Sequence, residues 1–340
     1  MQKIQYLYDE LPDAGQAIEV ARGVFWIRMP LPFKLNHINL WILDDGDGWT
    51  IVDTGINLPE VRERWDMLLK GQFAAKPVKR MIATHFHPDH IGLAGWFEET
   101  LGIDLWMTLG EWGMARNLKL ETVERSSTYL TQFYHRAGFG EDLMELIPER
   151  SVSYPSRIAM PPAGMVRMQD GDDIRIGDHD WRVIVGTGHS PEHACLFCED
   201  LKVMISGDQI LPRISPNISI WPQEPKADPL AQFLGSLEKF AELPEDVLIL
   251  PSHDTPFRGV HHRLSDLAHH HDERLEETFN LCKSPVSAYE VLKGLFTRKL
   301  DSHQVFFAIG EALAHLHHLE AKGMLVRTMD ENGVYLFAQP

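Results

Sequence analysis

Cysteine is scarce. The 340 residues contain three, Cys195, Cys198 and Cys282, too few for a disulfide framework in a chain this long. No 18-residue apolar run occurs, which excludes a transmembrane helix of ordinary length. The opening segment MQKIQYLYDELPDAG lacks the apolar core of a secretory signal, so a cytoplasmic location is expected. Positive charge is in deficit. The 32 Lys plus Arg against 49 Asp plus Glu leave a net charge of −17, a surface that repels polyanions and argues against nucleic acid as a partner. Heptads and fixed-period repeats are absent, and Gly and Pro are unremarkable, which excludes coiled coil, solenoid and collagen.

What is present is a globular composition, 44% hydrophobic with nine Trp and sixteen Phe. Its length suits two domains, or one large domain with an appendage. Eighteen His beside the carboxylate excess form an inventory of metal ligands.

The segments GVFWIRM, INLWILDD and WTIVD read as strands over residues 24–53. Asn57 as cap, Pro59 in the first turn and Gly71 as stop predict a helix through VRERWDMLL. KRMIAT is a short strand running into HFHPDH, followed by the helical IGLAGWFEETLG and the strand IDLWMT. This alternation predicts a layered α/β core.

From Gly110 to about Arg150 the sequence reads as two or three helices that interrupt the α/β pattern. Their apolar residues are Trp112, Met114, Leu118, Leu120, Tyr129, Phe133, Tyr134, Phe139, Leu143 and Met144. The insertion follows the histidine-rich loop closely, so a lid forming a substrate wall is expected. Strands resume as DIRI, WRVIVGTG, HACLFCE and KVMISG. A helix opened by Asp228 and Pro229 and the buried strand VLILPS come next. Beyond residue 258, helices and a final hairpin (MLVRTM, VYLFA) suggest a helical linker and a winged-helix-like domain over 259–340. The catalytic domain is then 1–258, with the 110–150 insertion inside it.

The informative segment is Thr84-His85-Phe86-His87-Pro88-Asp89-His90. In extended chain His85 and His87 point to one side, and Pro88 ends the strand so that Asp89 and His90 are presented from the following helix start. Four candidate ligands on two sides of a turn can serve two adjacent cations. His189, Asp208 and His253 each follow an apolar strand, the edge at which open α/β sheets place their sites. Imidazole with carboxylate and no thiolate suits Zn, Fe, Mn or Co.

This pattern, with the early strand-end Asp53-Thr54-Gly55, resembles the metallo-β-lactamase fold superfamily of hydrolases over roughly residues 20–258. The appended C-terminal part resembles that of the β-lactamase-like protein 2 group. The resemblance implies a four-layer αβ/βα sandwich of two sheets with helices outside. It also implies one metal held by His85, His87 and His189 and another by Asp89, His90 and His253, with Asp208 bridging. Antibiotic-hydrolysing members with a thiol ligand carry Cys at the position of Asp208, so the pattern is more similar to glyoxalase II, lactonases, phosphodiesterases and tRNA-processing nucleases.

Other features receive plainer readings. Cys195 and Cys198, three apart in a strand, face opposite sides and pack in the core. His269, His270 and His271 lie mid-helix on a solvated face. His193 stands behind the ligands, and Ser190 lacks a base and an acid for a triad. Residues 283–340 hold six basic and six acidic side chains, so packing or dimerisation is expected there rather than DNA binding.

The expectation is a hydrolase with two divalent cations, zinc or else iron or manganese, that activate a bridging water. Asp89 and Asp208 act in catalysis on a small apolar ester, lactone or thioester. The rivals are a phosphodiesterase or ribonuclease and a diiron redox protein. Against the second, related redox members replace the second histidine of the motif with Glu, whereas this chain has His87.

Overall fold

Inner strands such as Val203–Gly207 and Leu248–Pro251 are apolar runs buried along their whole length, whereas Asp173–Ile176 alternates exposed and buried residues. The computed structural model describes residues 3–340, apart from the side chain of His303. In chain order, β1 (Gln5–Tyr6) and β2 (Ile18–Ala21) precede β3 (Val24–Pro30), β4 (His37–Asp44) and β5 (Trp49–Val52). Next come α1 (Pro59–Lys70), β6 (Val78–Ile82), the single turn α2 (Pro88–Ile91), α3 (Ala94–Leu101) and β7 (Asp104–Met107). The insertion comprises α4 (Leu109–Leu120), α5 (Val123–Arg136), α6 (Glu141–Met144) and α7 (Ile147–Ser156), and so extends past Arg150. After it lie β8 (Val166–Arg167), β9 (Asp173–Ile176), β10 (His179–Gly186), β11 (His193–Cys198) and β12 (Val203–Gly207). The helix α8 (Pro229–Phe240), β13 (Leu248–Pro251), β14 (Phe257–Arg258) and α9 (Val260–Leu281) complete the sandwich. The C-terminal part is β15 (Val286–Ser287), α10 (Ala288–Leu295), α11 (Ser302–Ala321), β16 (Val326–Met329) and β17 (Tyr335–Ala338).

One seven-stranded sheet runs β2-β3-β4-β5-β6-β7-β8 and the other β1-β14-β13-β12-β11-β10-β9, with a three-stranded sheet β15-β17-β16 at the C-terminus. Strands β5 to β8 pair in parallel, as do β12 and β13. Three buried clusters give the layers. Trp26, Trp41, Ile82, Trp181, Leu196 and Leu250 fill the space between the sheets. Ile51, Met81, Trp65 and Phe97 join the first sheet to α1 and α3. Met204, Ile249, Phe233, Phe240 and Leu267 join the second sheet to α8 and α9. This is the four-layer αβ/βα sandwich.

The third cluster does not stop at the sandwich. It takes in Leu130, Tyr134 and Phe139 of the insertion with Leu292, Phe306 and Ile309 of the C-terminal part, so insertion and C-terminal helices share one core. Cys195 and Cys198 fall in different clusters on opposite faces of β11, both free and buried. Asp228 caps α8 through a bond from the Ala231 N–H, whereas Leu58, not Asn57, occupies the cap position of α1. The Asn57 side chain instead accepts from Arg62.

The expected solvated histidine face is wrong for one of its three members. His269 is exposed and His270 half-buried, but His271 turns inward, because successive helical residues lie about 100° apart. Its Nδ1 sits 3.4 Å from His315 Nε2 on α11, and its ring packs against Phe233 of α8. Burial, then neighbouring imidazoles, pushes His271 down to about 3; burial likewise pushes His315 to about 4. Both folded values lie below the ordinary value near 6.5, so the unfolded chain binds more protons. The stability these neutral rings contribute is complete above pH 6.5 and is lost progressively as pH falls from there to about 3. Melting temperature should therefore drop over that window, and His271→Phe should make the drop shallower. Parallel melting curves for the two proteins would contradict the assignment.

Candidate metal centre

Each of the seven predicted residues stands just beyond a strand. The loop after β6 carries His85 and His87, and His87 occupies the cap position of α2 with Pro88 in its first turn. Asp89 and His90 therefore come from the first turn of a helix. His189 follows β10, Asp208 follows β12, and His253 follows β13. The loop is held down by the Asp53-Thr54-Gly55 segment. The Thr54 N–H and hydroxyl both donate to the His90 carbonyl, at 2.7 and 2.8 Å. Gly92 allows this approach, since a Cβ there would lie 2.6 Å from the Gly55 carbonyl oxygen.

Asp53 occupies the left-handed region at φ 62°, a conformation costing a non-glycine residue of order 1 kcal/mol. Its carboxylate accepts from the Thr84 N–H (2.7 Å), the Thr84 hydroxyl (2.9 Å) and His90 Nδ1 (2.7 Å).

The ligand atoms form two groups, each within 4.8 Å internally: His85, His87, His189 and Asp208, then Asp89, His90 and His253. In the first, His85 Nε2 lies 2.9 Å from His87 Nδ1 and 3.3 Å from His189 Nε2. Asp208 Oδ2 is 3.5 Å from His189 Nε2 and 4.0 Å from His85 Nε2. Its other oxygen, Oδ1, is 3.5 Å from both His90 Nε2 and His253 Nε2. Asp89 Oδ2 stands 3.9 and 3.7 Å from those same two nitrogens. One carboxylate thus faces both groups.

Second nitrogens are fixed by the surrounding protein. His189 Nδ1 bonds the Asn217 carbonyl at 3.0 Å, His253 Nδ1 the His37 carbonyl at 2.9 Å, and His90 Nδ1 the Asp53 carboxylate. A carbonyl partner requires N–H at Nδ1, which leaves Nε2 as a lone pair aimed inward, the arrangement that metal-binding imidazoles use. His90 Nε2 and Asp208 Oδ1 are buried without a hydrogen-bond partner; such orphaned polar atoms are costly, and a cation that displaces the proton from His90 would meet both. Burial and neighbouring imidazoles hold His85 and His87 well below the usual range, hence neutral. Burial opposes charge on His90 and His253, but Asp53, Asp208 and Asp89 outweigh it and raise His90, while Asp208 and Asp89 raise His253. Asp208 is held ionised, its burial outweighed by His253, His90 and His189. The donor set fits cations.

Supporting residues complete the site. The Asp208 N–H donates to His193 Nε2 at 3.0 Å, and the His193 ring stacks on His85 with centroids 4.7 Å apart. The sequence places His193 near the site; it does not reveal Glu111. This residue of α4 is wholly buried, and its carboxylate accepts from the Phe86 N–H (2.9 Å), the Ser190 hydroxyl (2.6 Å) and the Glu192 N–H (2.7 Å). It ties the loop of His85 and His87 to the loop of His189. Burial pushes Glu111 up to about 7 despite those bonds. Ser190 is thus occupied as a donor to Glu111, and among the described residues no histidine base accepts from it.

Above the ligands opens a cavity of about 670 Å³ lined by His87, Asp89, His189, Asp208 and His253 together with apolar side chains. The insertion contributes Met114, Leu118, Tyr129, Leu130, Tyr134 and Tyr154 to its wall. The other insertion residues singled out in the sequence do not line it. Phe133, Phe139, Leu143 and Met144 pack into the core shared with the C-terminal helices, Trp112 packs on the first sheet, and Leu120 is exposed. Gln304 and Phe307 of α11 also line the cavity, a contribution the sequence does not announce.

The sequence matches the family described as the metallo-beta-lactamase superfamily over residues 34–253. The chain belongs to this superfamily. Residues 275–340 match its C-terminal domain, described as metallo-beta-lactamase-like. A beta-lactamase domain protein from Burkholderia ambifaria superposes with a TM-score of 0.92 at 42% identity, covering 99% of this chain and 98% of that one. A metallo-beta-lactamase family protein from Thermus thermophilus gives a TM-score of 0.80 at 28% identity over 95% and 100%. Among curated relatives, the probable metallo-hydrolase YqjP of Bacillus subtilis is 24% identical over 92% of this chain and 97% of its own. The human acyl-coenzyme A thioesterase MBLAC2 is 26% identical over 69% and 79%. As a hydrolase of this superfamily, the chain carries its histidine–aspartate cluster at the expected strand ends. Among the described residues no helix is long and apolar enough to cross a membrane.

Proposed function

We propose that this chain is a dinuclear metal-dependent hydrolase acting on an apolar acyl substrate, a thioester before an ester or lactone. His85, His87 and His189 would hold one divalent ion and Asp89, His90 and His253 the other, with Asp208 between them. The observation that carries this reading is the Asp208 carboxylate, whose two oxygens face the two nitrogen groups separately. Zinc suits the donors, with iron or manganese as alternatives. Cations bound there would lower the pKa of water toward neutrality and polarise the acyl oxygen. Asp89, half-buried and lining the cavity, would orient the attacking water and accept its proton. Tyr154 donates to the Phe86 carbonyl at 2.6 Å and steadies the loop from the cavity side. Residues 1–258 form the catalytic unit, and 259–340 a helical linker, α9, that packs on the second sheet, and a winged-helix-like unit that buttresses the insertion.

The preference for a thioester rests on the apolar wall and on the acyl-coenzyme A thioesterase relatives. Acetyl and decanoyl thioesters, their oxygen esters, a lactone and a phosphodiester form the test panel. Chelator-sensitive cleavage of the decanoyl thioester is expected, and cleavage of the phosphodiester alone would refute the assignment. Leu118→Ala should raise KM for the decanoyl substrate about tenfold and hardly change it for acetyl. Losing roughly 50 Å² of apolar contact at about 25 cal/mol per Å² corresponds to that factor.

A further inference from the structure

A guanidinium stands in the cavity wall that this hydrolysis does not use. Arg150 of α7, half-buried, lines the cavity with His87, Asp89 and Asp208. Its Cζ lies 5.7 Å from the Trp221 ring, 5.6 Å from Phe306 and 5.7 Å from Phe307. Aromatic faces favour the cation but cannot accept its in-plane N–H bonds. Three other arginines of similar or deeper burial have those donors answered. Arg80 pairs with Asp45 at 2.7 Å, Arg263 donates to the carbonyls of Leu211 and Ile214, and Arg116 to those of Pro161 and Pro162. For Arg150 the neighbouring hydrogen-bonding group is the Tyr134 hydroxyl, and among the described residues no carboxylate pairs with it. In a chain with 49 acidic side chains, a cation left facing a cavity in this way is suited to an anion from outside.

The distance from the metal ligands is bounded. The Trp221 ring lies 6.5 Å from His87, so the guanidinium is within about 12 Å of that imidazole. An extended chain advances about 1.2 Å per bond, so about ten bonds or fewer cover the gap. We propose that Arg150 is a specificity-determining residue for substrates bearing a negative group, carboxylate or phosphate, on the arm that runs from the scissile bond across Trp221. This inference rests on the hydrolase reading above for the position of the scissile bond. It adds a charged end to the otherwise apolar substrate.

The test uses the full-length, metal-loaded protein. Calorimetry compares octanedioate and 7-phosphonoheptanoate with octanoate, and kinetics compare KM for ω-carboxy and ω-phosphono aryl esters with their neutral methyl-capped counterparts. The expected result is binding of one or both doubly charged ligands at least about tenfold tighter than octanoate, with the same bias in KM. The stronger arm identifies the anion. Arg150→Met should bring the charged-to-neutral ratio close to one, and Arg150→Lys should retain part of it, with folding checked by melting temperature. Equal binding of charged and neutral ligands by the wild type, or a bias that survives Arg150→Met, would overturn the proposal. The two readings fail separately. Cleavage of neutral esters without charge bias leaves the hydrolase and removes the anion site. An Arg150-dependent bias in binding without cleavage of any ester does the reverse.

Discussion

Asp208→Ala is expected to abolish turnover, by about a thousandfold or more, and to lower metal content at both positions. Its Oδ2 faces His189 and His85 while Oδ1 faces His90 and His253, so one substitution removes a donor and a negative charge from each group. Several kcal/mol of transition-state stabilisation depend on such cations, and about 4 kcal/mol corresponds to three orders of magnitude. His193→Ala provides the contrast. That ring accepts from the Asp208 N–H, meets Cys195 Sγ through Nδ1 at 3.6 Å and stacks on His85, without joining either group of ligand atoms, so its loss should cost about 10–100-fold, as outer partners of metal ligands usually do. Metal content and kcat/KM of the two variants decide the matter. Equal, small effects would show that Asp208 is not the bridge.

The second large effect should come from a residue outside the seven clustered side chains. Glu111→Ala would leave three donors without their acceptor, the N–H groups of Phe86 and Glu192 and the Ser190 hydroxyl, around a wholly buried position. Each stranded buried donor costs about 1–3 kcal/mol, so a loss of at least about 3 kcal/mol in stability is expected. At about 2–4 °C per kcal/mol for a large domain, the melting temperature should fall by roughly 6 °C or more. Phe86 and Ser190 adjoin His85, His87 and His189 in sequence, so affinity at the first metal position should weaken as well. Glu111→Gln keeps one acceptor oxygen and should recover part of both losses. A Glu111→Ala protein with unchanged melting and full metal content would refute this positioning role.

The seven clustered residues were legible because each is a ligand type at the end of an apolar strand, and because Pro88 dictates the turn between two pairs of them. Glu111 was not. It is one glutamate in an amphipathic helix, and two of its three partners are backbone N–H groups, which no sequence pattern marks. The insertion shows a related ambiguity. Leu118 and Phe133 are both apolar residues on helices, yet one lines the cavity and the other packs against the C-terminal helices. Residue type gives the tendency to be buried but not the neighbour. His271 was misread for the same reason, since a mid-helix histidine triplet carries no sign of which member faces inward. Strands β1, β8, β14 and β15 are two residues long, too short for an alternating pattern to register. Asn57 is a good capping residue one position too early, and Arg62 takes its side-chain oxygen instead.

The most direct test of the account is the transition-metal content of purified wild-type protein beside Asp208→Ala, by elemental analysis after expression with ample zinc, iron and manganese. The account predicts about two ions per wild-type chain and a marked loss in the variant. Wild-type protein that folds without bound metal, or holds its full complement with Asp208 replaced, would contradict it.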